Sequence, residues 1–229
     1  MTDPPTEMVT APVLGTVGIL GGTGDQGRGL AYRWAIAGLN VVIGSRERER
    51  AEAVAIEIGR DAGFRVRGGL NVDVASQADI VVLAVPWEGH AAMVQSIAVA
   101  VAGKVVVDCV NPIGFDERGA YPLEVDEGSA AQQAAAILVD SRVVAAFHHV
   151  SAVLLNDRAV DTIDCDIMVL GDDRGATDVV QQLAASIAGA RGIYAGRLRN
   201  AHQVEALTAN LISVNRRHRT HAGIRLTGV

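Results

Sequence analysis

The chain of 229 residues is long enough for one large α/β domain, or for one domain with a small companion, and 49% of its residues are hydrophobic. Its net charge of −6 argues against a nucleic-acid partner, which would need a basic face, and no apolar run reaches the ~18 residues of a membrane span. Aromatic residues make up only 3%, so the expected core is Val, Ala, Ile and Leu, as in parallel strands that are covered on both faces.

The N-terminal residues 1–15 contain prolines among mixed polar residues and are predicted to form a disordered tail. They lack the basic start of a secretory signal. The chain has two cysteines, Cys109 and Cys165, which lie far apart in apolar runs. We therefore expect buried free thiols, no metal site and a cytoplasmic protein.

The first strong pattern is a short apolar run, 16–20, that ends in glycines and predicts a buried strand turning into a helix over 26–37. Its glycines fit the G-x-G-x-x-G pattern, which gives a tight turn, close backbone approach to a pyrophosphate, and close packing of helix on strand: Gly22, Gly24 and Gly27. An ordinary glycine turn is the alternative. A second apolar strand at 40–43 completes a βαβ unit and favours a dinucleotide site, with the phosphates at the helix N-terminus.

The end of the second strand indicates which dinucleotide is bound. An NAD site places an acidic residue here for the ribose 2′-hydroxyl, whereas this chain continues with Ser45 and Arg46. Arg46 can bind a 2′-phosphate, Ser45 can donate its hydroxyl, and Arg50 lies one helical turn later. A solvated basic helix start is the alternative, but helix N-termini normally prefer acidic residues. The pattern therefore predicts NADP.

The following segment alternates helices and strands, as a doubly wound parallel sheet requires. The predicted elements are a helix at 47–59, a strand near 65–67, a brief helix from Asp73, a strand at 79–85, a helix at 88–101 and a strand at 105–110. Ligands bind beyond the carboxyl ends of such strands, so Trp87 and Asn111 fall where the nicotinamide half would lie. Trp87 could equally be a packing residue.

Residues 112–128 are predicted to be a long loop, followed by a helix at 129–138 and a strand at 143–147. That strand leads into His148 and His149, of which at most one can face the cleft, and a structural histidine is the alternative. Further elements are predicted at 164–170, 176–188, 193–195 and 201–215. The predicted organisation is a Rossmann-type NADP-binding domain at 16–150 and a small C-terminal α/β domain at 151–229 that closes the cofactor cleft.

Several catalytic motifs are absent from the sequence. It has neither the G-x-S-x-G elbow of serine hydrolases nor the P-loop of phosphoryl-transfer enzymes. The only lysine, Lys104, starts a strand and so lies at the wrong end of the sheet to act as an acid in the cleft. Direct hydride transfer between two bound redox cofactors needs no such acid, because positioning of the two rings supplies most of the catalysis. No catalytic side chain is therefore predicted.

Taken together, these stretches resemble one family. Gly21–Gly27, Gly44–Arg46, Val85–Glu88, Phe147–His148 and Glu205–Thr208 occur in the same order in the NADPH-dependent F420 reductases, also called F420H2:NADP oxidoreductases. The resemblance covers nearly everything after the tail. It implies that NADP(H) and the 8-hydroxy-5-deazaflavin coenzyme F420 stack in the cleft and exchange a hydride directly, in a protein that is commonly a homodimer.

The resemblance also implies roles for individual residues. The pyrophosphate loop corresponds to Gly22, Thr23, Gly24, Asp25 and Gln26, and the 2′-phosphate grip to Ser45, Arg46 and Arg50. Trp87 and Ala152 correspond to NADP contacts near the nicotinamide, and His148, Val150 and Ser151 to the segment against the deazaflavin. Ser151 stands where relatives often have proline, and His149 where they often have threonine. Another NADPH-dependent reductase, of the imine or hydroxyacid type, and a non-catalytic NADP-binding redox sensor are the alternatives.

Overall fold

The computed structural model describes residues 14–229, so residues 1–13 of the predicted tail lie outside the described part of the chain. The strands are β1 (Thr16–Leu20), β2 (Asn40–Ser45), β3 (Arg67–Leu70), β4 (Ile80–Leu83), β5 (Val105–Asp108), β6 (Ile113–Asp116), β7 (Gly119–Pro122), β8 (Arg142–Ala145), β9 (Cys165–Gly171) and β10 (Ala190–Gly196). The α-helices are α1 (Asp25–Ile36), α2 (Arg48–Ala62), α3 (Asn71–Gln77), α4 (His90–Ile97), α5 (Ala130–Ile137), α6 (Ala152–Asn156), α7 (Arg174–Ala185) and α8 (Ala201–His218).

One eight-stranded sheet organises the chain, in the order β10-β9-β8-β5-β4-β1-β2-β3. All neighbouring strands are parallel except β8 and β9. Side chains alternate across the sheet, so Val17 and Ile19 pack into one hydrophobic cluster while Leu20 packs into the other. Helices cover both faces because both faces are apolar. The prediction of a Rossmann-type doubly wound α/β fold is confirmed.

Helix α1 lies directly behind the first strand and shows why the local sequence folds as predicted. Leu30 and Trp34, one helical turn apart, are both fully buried in the same cluster as Ile19. The Trp34 indole Nε1–H donates to the carbonyl of Leu183, which leaves no polar atom of this side chain unpaired. Gly38, at φ +82°, then turns the chain into β2.

The prediction of a long loop over 112–128 is wrong. Residues 113–122 form an antiparallel hairpin of β6 and β7. The Asp116 carboxylate closes its turn by accepting hydrogen bonds from the backbone N–H groups of Arg118 and Gly119. A glycine in each strand and a proline at the end of β7 hide the alternating pattern that would reveal a hairpin in the sequence.

Several predicted boundaries shift by a few residues. Strand β3 begins at Arg67, where the sequence predicted a strand at 65–67, and β8 ends at Ala145, two residues early. Phe147 is fully buried but adopts a left-handed conformation, φ +66°, so it packs into the core from a turn instead of a strand. Helix α6 was not predicted, because it is only five residues long.

The C-terminal strands β9 and β10 extend the same sheet beyond β8. The fully buried Asp166 carboxylate of β9 lies 2.6 Å from the guanidinium groups of both Arg191 and Arg225, and the Arg191 hydrogen bonds hold its pKa well below the usual range. These ion pairs fix the chain terminus against β9. The division at residue 150 stays a prediction, since the sheet runs through it.

Three further sequence expectations concern single residues or segments. Cys109 and Cys165 are both buried free thiols, as predicted. Lys104 lies at the start of β5, and its ammonium donates to the carbonyls of Ala75 and Ser76. Within residues 14–229 we find no helix with the length and hydropathy needed to cross a bilayer.

Candidate cofactor site

The glycine-rich turn after β1 brings the backbone of β1, β2 and α1 into close contact. The N–H of Gly22 donates to the carbonyl of Gly44 at 3.0 Å. A Cβ atom at Gly22 would lie 2.6 Å from the Cβ of Ile43, and one at Gly27 would lie 2.6 Å from the Cα of Gly22. At Gly24 a Cβ atom would meet only a carbonyl oxygen at 3.5 Å, so this glycine leaves room beside the turn. Two of the glycines therefore serve packing and the third leaves space for a ligand.

The N-terminus of α1 points its backbone N–H groups at that space. Gly24 is the N-cap residue, and no side chain within residues 14–229 accepts a hydrogen bond from the first turn. Unpaired N–H groups and the positive end of the helix dipole favour an anion. The geometry thus suits a pyrophosphate, as the G-x-G-x-x-G pattern predicts.

A cavity of about 530 Å³ opens beside this turn, at the carboxyl ends of β1, β2 and β4. It is lined by Gly21, Thr23, Gly24, Ser45, Arg46, Glu47, Arg50, Asn71, Ala84, Val85, Pro86, Glu88, Gly89 and Met93. Five of the predicted NADP residues are thereby brought together, namely Thr23, Gly24, Ser45, Arg46 and Arg50. A shallower depression of about 600 Å³ along α2 and β3 contains none of the predicted site residues.

The arginines at the start of α2 differ in what they contact. Arg48 forms an ion pair with Asp73 at 2.6 Å and does not line the cavity. Arg46 and Arg50 do line it, and neither side chain has a hydrogen-bond partner among residues 14–229. Two guanidinium groups without protein partners at the cavity rim suit an anionic group such as a phosphate.

Asn71 is a cavity residue that the sequence analysis missed. It is nearly fully buried, and its Oδ1 accepts a hydrogen bond of 3.1 Å from the N–H of Gly21. Gly21 has φ +73°, so this bond holds the glycine turn in a conformation that few other residues adopt. The signal was the position of Asn71 directly after β3, which was obscured because the strand was predicted several residues too early.

Trp87 lies in a 3-10 turn, Trp87–Gly89, next to the cavity but not among its lining residues. Its indole stacks on the imidazole of His90, with ring centroids 5.5 Å apart. His90 is buried and bonded to Asp108 at 2.7 Å and to Gln133 at 2.9 Å. Burial opposes protonation of His90, but Asp108 outweighs it and raises the histidine pKa. The packing role of Trp87 is therefore observed, and its role as a ligand contact stays a prediction.

The segment after β8 holds buried polar atoms without partners. His148 is only 4% exposed, and neither ring nitrogen has a hydrogen-bond partner within the described residues. Its carbonyl accepts from Asn111 Nδ2 at 2.9 Å and Thr208 Oγ1 at 3.1 Å, while Asn111 Oδ1 is also buried and unpaired there. Burial lowers the pKa of His148 to about 4, so the ring is neutral at pH 7. Such groups suit a ligand with a hydrogen-bonding edge.

The neighbouring His149 has a different environment. Its Nε2 accepts a hydrogen bond from the N–H of Met168 in β9 at 3.2 Å. Burial also lowers its pKa to about 4. His149 is therefore a satisfied structural histidine, and the two adjacent rings do have separate surroundings.

The remaining predicted residues flank these two regions. Val150 is buried, and Ser151 caps α6 by accepting from the N–H of Leu154. Ala152 is half-buried at the first position of α6. Gly22, Asp25 and Gln26 belong to the turn and first turn of α1 but do not line the cavity. The Gln26 amide instead donates to the carbonyl of Phe147 at 3.1 Å, which ties the start of α1 to the His148 segment.

Three features of the described residues 14–229 define the class of protein: the sheet order, the start of α1 without a side-chain cap, and two cavity arginines without hydrogen-bond partners. They are typical of Rossmann-like proteins that bind a dinucleotide with a phosphorylated ribose.

Comparison with known proteins gives the family. Residues 16–112 match the family model described as NADP oxidoreductase coenzyme F420-dependent. The chain is 40% identical to the F420-dependent NADP reductase of Methanothermobacter marburgensis over 93% of this chain and 98% of that protein. It is 42% identical to the protein of the same name from Methanothermobacter thermautotrophicus, over 93% of this chain and 95% of the relative. The chain belongs to the F420-dependent NADP reductase family, which confirms the resemblance.

Solved structures agree on the fold. A protein from Arthrobacter sp. FB24, described as a candidate F420-dependent NADP-reductase, superposes with a TM-score of 0.76 at 25% identity and covers 93% of this chain and 100% of its own. The imine reductase BcSIRED from Bacillus cereus BAG3X2 superposes with a TM-score of 0.63 at 15% identity, covering 89% of this chain and 63% of its own. The second likeness shows the fold alone.

Proposed function

We propose that this protein transfers a hydride directly between NADP(H) and the deazaflavin coenzyme F420. The observation that carries the proposal is the pairing of two kinds of site along one edge of the sheet. Among residues 14–229, one site has arginines and N–H groups without partners, and the other has buried polar atoms of His148 and Asn111 without partners. Membership in a family whose curated relatives are named F420-dependent NADP reductases supports it.

The NADP half of the proposed site extends from the glycine turn to the start of α2. Thr23, Gly24 and the first-turn N–H groups of Asp25 and Gln26 would hold the pyrophosphate, with Gly22 allowing the turn. The 2′-phosphate would lie between the guanidinium groups of Arg46 and Arg50, with the hydroxyl of Ser45 as a further donor. These assignments explain why Arg46 and Arg50 line the cavity while Arg48 is paired elsewhere.

The ring half of the proposed site lies between Trp87 and the 148–152 segment. Trp87 and Ala152 would border the nicotinamide, and His148, Val150 and Ser151 would border the deazaflavin. His148 is neutral at pH 7, so one ring nitrogen can donate and the other can accept a hydrogen bond from the deazaflavin edge. Asn111 Oδ1 offers a second acceptor at the same place.

The chemistry of the reaction belongs to the two cofactors, since NADPH supplies a hydride and oxidised F420 takes it up together with one proton, or the reverse. The protein's part is to hold the two rings face to face and to exclude water. The sole lysine is bonded to backbone carbonyls at the opposite end of the sheet, which fits a mechanism without a lysine acid. We propose no catalytic side chain, and the imine- or hydroxyacid-reductase alternative is not favoured.

Three further features belong to the proposal. We propose that the chain acts as a homodimer, as the family resemblance implies, and that it works in the cytoplasm. Residues 16–150 form the NADP-binding unit, and residues 151–229 close the cleft over the rings. Size-exclusion chromatography with light scattering would measure the first of these directly.

The experiment that tests the function mixes purified protein, NADPH and oxidised F420, and follows the loss of deazaflavin absorbance. NADH in place of NADPH and FMN in place of F420 are the controls. Rapid bleaching only with NADPH and F420 is the expected result. Tight NADPH binding without any bleaching would contradict the proposal and favour a non-catalytic NADP-binding redox sensor.

A further inference from the structure

We propose that helix α1 sets the spacing between the two ring sites, and that Arg33 is the residue that positions the 148–156 segment for hydride transfer. The inference rests on the proposed function. Helix α1 starts at the candidate pyrophosphate turn, and several of its residues contact the chain on both sides of the candidate deazaflavin segment.

Arg33 is a buried cation whose donors are all directed at one short stretch of backbone. Only 2% of the Arg33 residue is exposed to solvent. The guanidinium donates to the carbonyls of Leu154 at 2.6 Å, Leu155 at 2.9 Å, Asp157 at 2.8 Å and Val160 at 2.6 Å. These are the last carbonyls of α6 and the turn after it, where the helix dipole is negative. Because Arg33 bonds only to backbone here, it fixes where α6 lies whatever side chains α6 carries.

Two more contacts lie on the same face of α1, at intervals of four residues. At the first residue of α1, the carbonyl of Asp25 accepts a hydrogen bond from Asn156 Nδ2 at 2.8 Å. At Gly29, in the middle, a Cβ atom would lie 2.5 Å from the Cβ of Leu155. Residues 25, 29 and 33 share one helical face, so α6 is held against three successive turns of α1. The distance between α1 and the C-terminal half of α6 is therefore fixed.

The chain before His148 is held by the same helix. Gln26 Nε2 donates to the carbonyl of Phe147, and the Trp34 ring meets the Phe147 ring edge-on at a centroid distance of 5.5 Å. Phe147 has the left-handed φ of +66°, which directs the chain out of β8 toward His148. Both ends of the 148–151 stretch are thus anchored on α1, and the N-terminus of α1 holds the candidate pyrophosphate turn.

This arrangement matters because hydride transfer depends on distance. Reacting atoms must come within about 3–3.5 Å, and a displacement of about 1 Å can cost about 100-fold in rate. A phosphate-binding helix that also anchors the second ring site provides one common reference for both rings. Arg33 is too far along α1 to belong to the phosphate turn, so its loss should change the spacing and leave the phosphate contacts, which supply most of the NADPH affinity, intact.

The test compares Arg33→Met and Arg33→Lys with a control, Arg225→Ala. Met keeps an unbranched side chain but removes every donor, and Lys keeps the charge with fewer donors in another geometry. Arg225 pairs with the buried Asp166 at the chain terminus, so its loss lowers stability away from the proposed rings. Steady-state kinetics with NADPH and with NADPH deuterated at the transferred position give kcat, KM and the isotope effect for each folded variant.

We expect Arg33→Met to lower kcat about tenfold to 100-fold and to raise the deuterium isotope effect on kcat, with KM for NADPH within about twofold of wild type. Arg33→Lys should recover part of kcat. Arg225→Ala should lower the melting temperature without changing kcat or the isotope effect. If folded Arg33→Met has the kcat and the isotope effect of wild type, the inference about Arg33 is refuted and the proposed function is unaffected.

Two further outcomes are decisive. Should wild type fail to reduce F420 with NADPH, the proposed function fails and the inference with it. Should Arg33→Met not fold, Gly29→Ala provides the same measurement, because the added methyl must push α6 away from α1 while all Arg33 donors remain. An unchanged kcat and isotope effect in folded Gly29→Ala would also overturn the inference.

Discussion

Replacing Arg46 by alanine should separate NADPH from NADH. Arg46 lines the candidate cavity without any side-chain hydrogen bond among residues 14–229, so its removal disrupts no observed contact within that range. NADPH differs from NADH by the 2′-phosphate, which Arg46 is proposed to bind. The binding of NADPH should therefore weaken, and that of NADH should stay nearly the same.

The expected size follows from the kind of bond that is lost. A hydrogen bond to a charged group contributes about 1.5–3 kcal/mol, and each ~1.4 kcal/mol is a tenfold change in Kd. The Kd of NADPH should thus rise about 10- to 140-fold. Because Arg46 is exposed before the cofactor binds, we expect the lower part of that range.

Arg48→Ala is the matched control. Arg48 lies two residues away in the same basic segment, but its guanidinium pairs with Asp73 at 2.6 Å outside the cavity. Its loss should change the Kd of NADPH less than about threefold, as expected for an exposed ion pair. Titration followed by NADPH fluorescence measures all three proteins. Equal losses for NADPH and NADH in Arg46→Ala, or an equal effect of Arg48→Ala, would refute the 2′-phosphate assignment.

Other changes test the supporting contacts. Asn71→Ala removes the hydrogen bond to the half-buried N–H of Gly21 and should cost about 0.5–1.5 kcal/mol in a urea unfolding curve. Thr208→Val removes one donor to the His148 carbonyl and should raise KM for F420 while leaving the Kd of NADPH unchanged; a shift in both would argue against separate ring sites. The arginines depress the pKa of Asp166 below its unfolded value, so its stabilising contribution is present above about pH 4 and lost as the pH falls further. Melting temperatures measured from pH 7 to pH 2 should show this loss, and Asp166→Asn should show a smaller one.

The sequence predicted the parts of the site that depend on short-range pattern. The glycine spacing located Gly24 at the start of α1, and an arginine in place of an acidic residue directly after β2 pointed to Arg46 and Arg50. The positions of these residues could be predicted because turn, strand end and helix start are local and each needs particular residue types, whereas their roles in NADP binding stay predictions.

The features that the sequence did not predict depend on contacts between distant segments. Asn71 reaches Gly21 from 50 residues away, and Arg33 reaches the turn after α6 from more than 120 residues away. A lone buried arginine in an amphipathic helix looks like a surface residue until its acceptors are known. The hairpin at 113–122 was missed for another reason, since its strands are short and contain glycine and proline.

The contact between Gly29 and Leu155 also bears on how such a protein can change in evolution. The approach is so close that even alanine at position 29 would force the two helices apart, whatever the residue at 155 except glycine. A glycine codon becomes an alanine codon by a single nucleotide change. One point mutation at a residue outside the proposed cofactor contacts could therefore alter the spacing of the two proposed ring sites. A single substitution at residue 29 could thus adapt the site to a thicker or thinner second substrate. We expect residue 29 to vary together with the segment that it contacts.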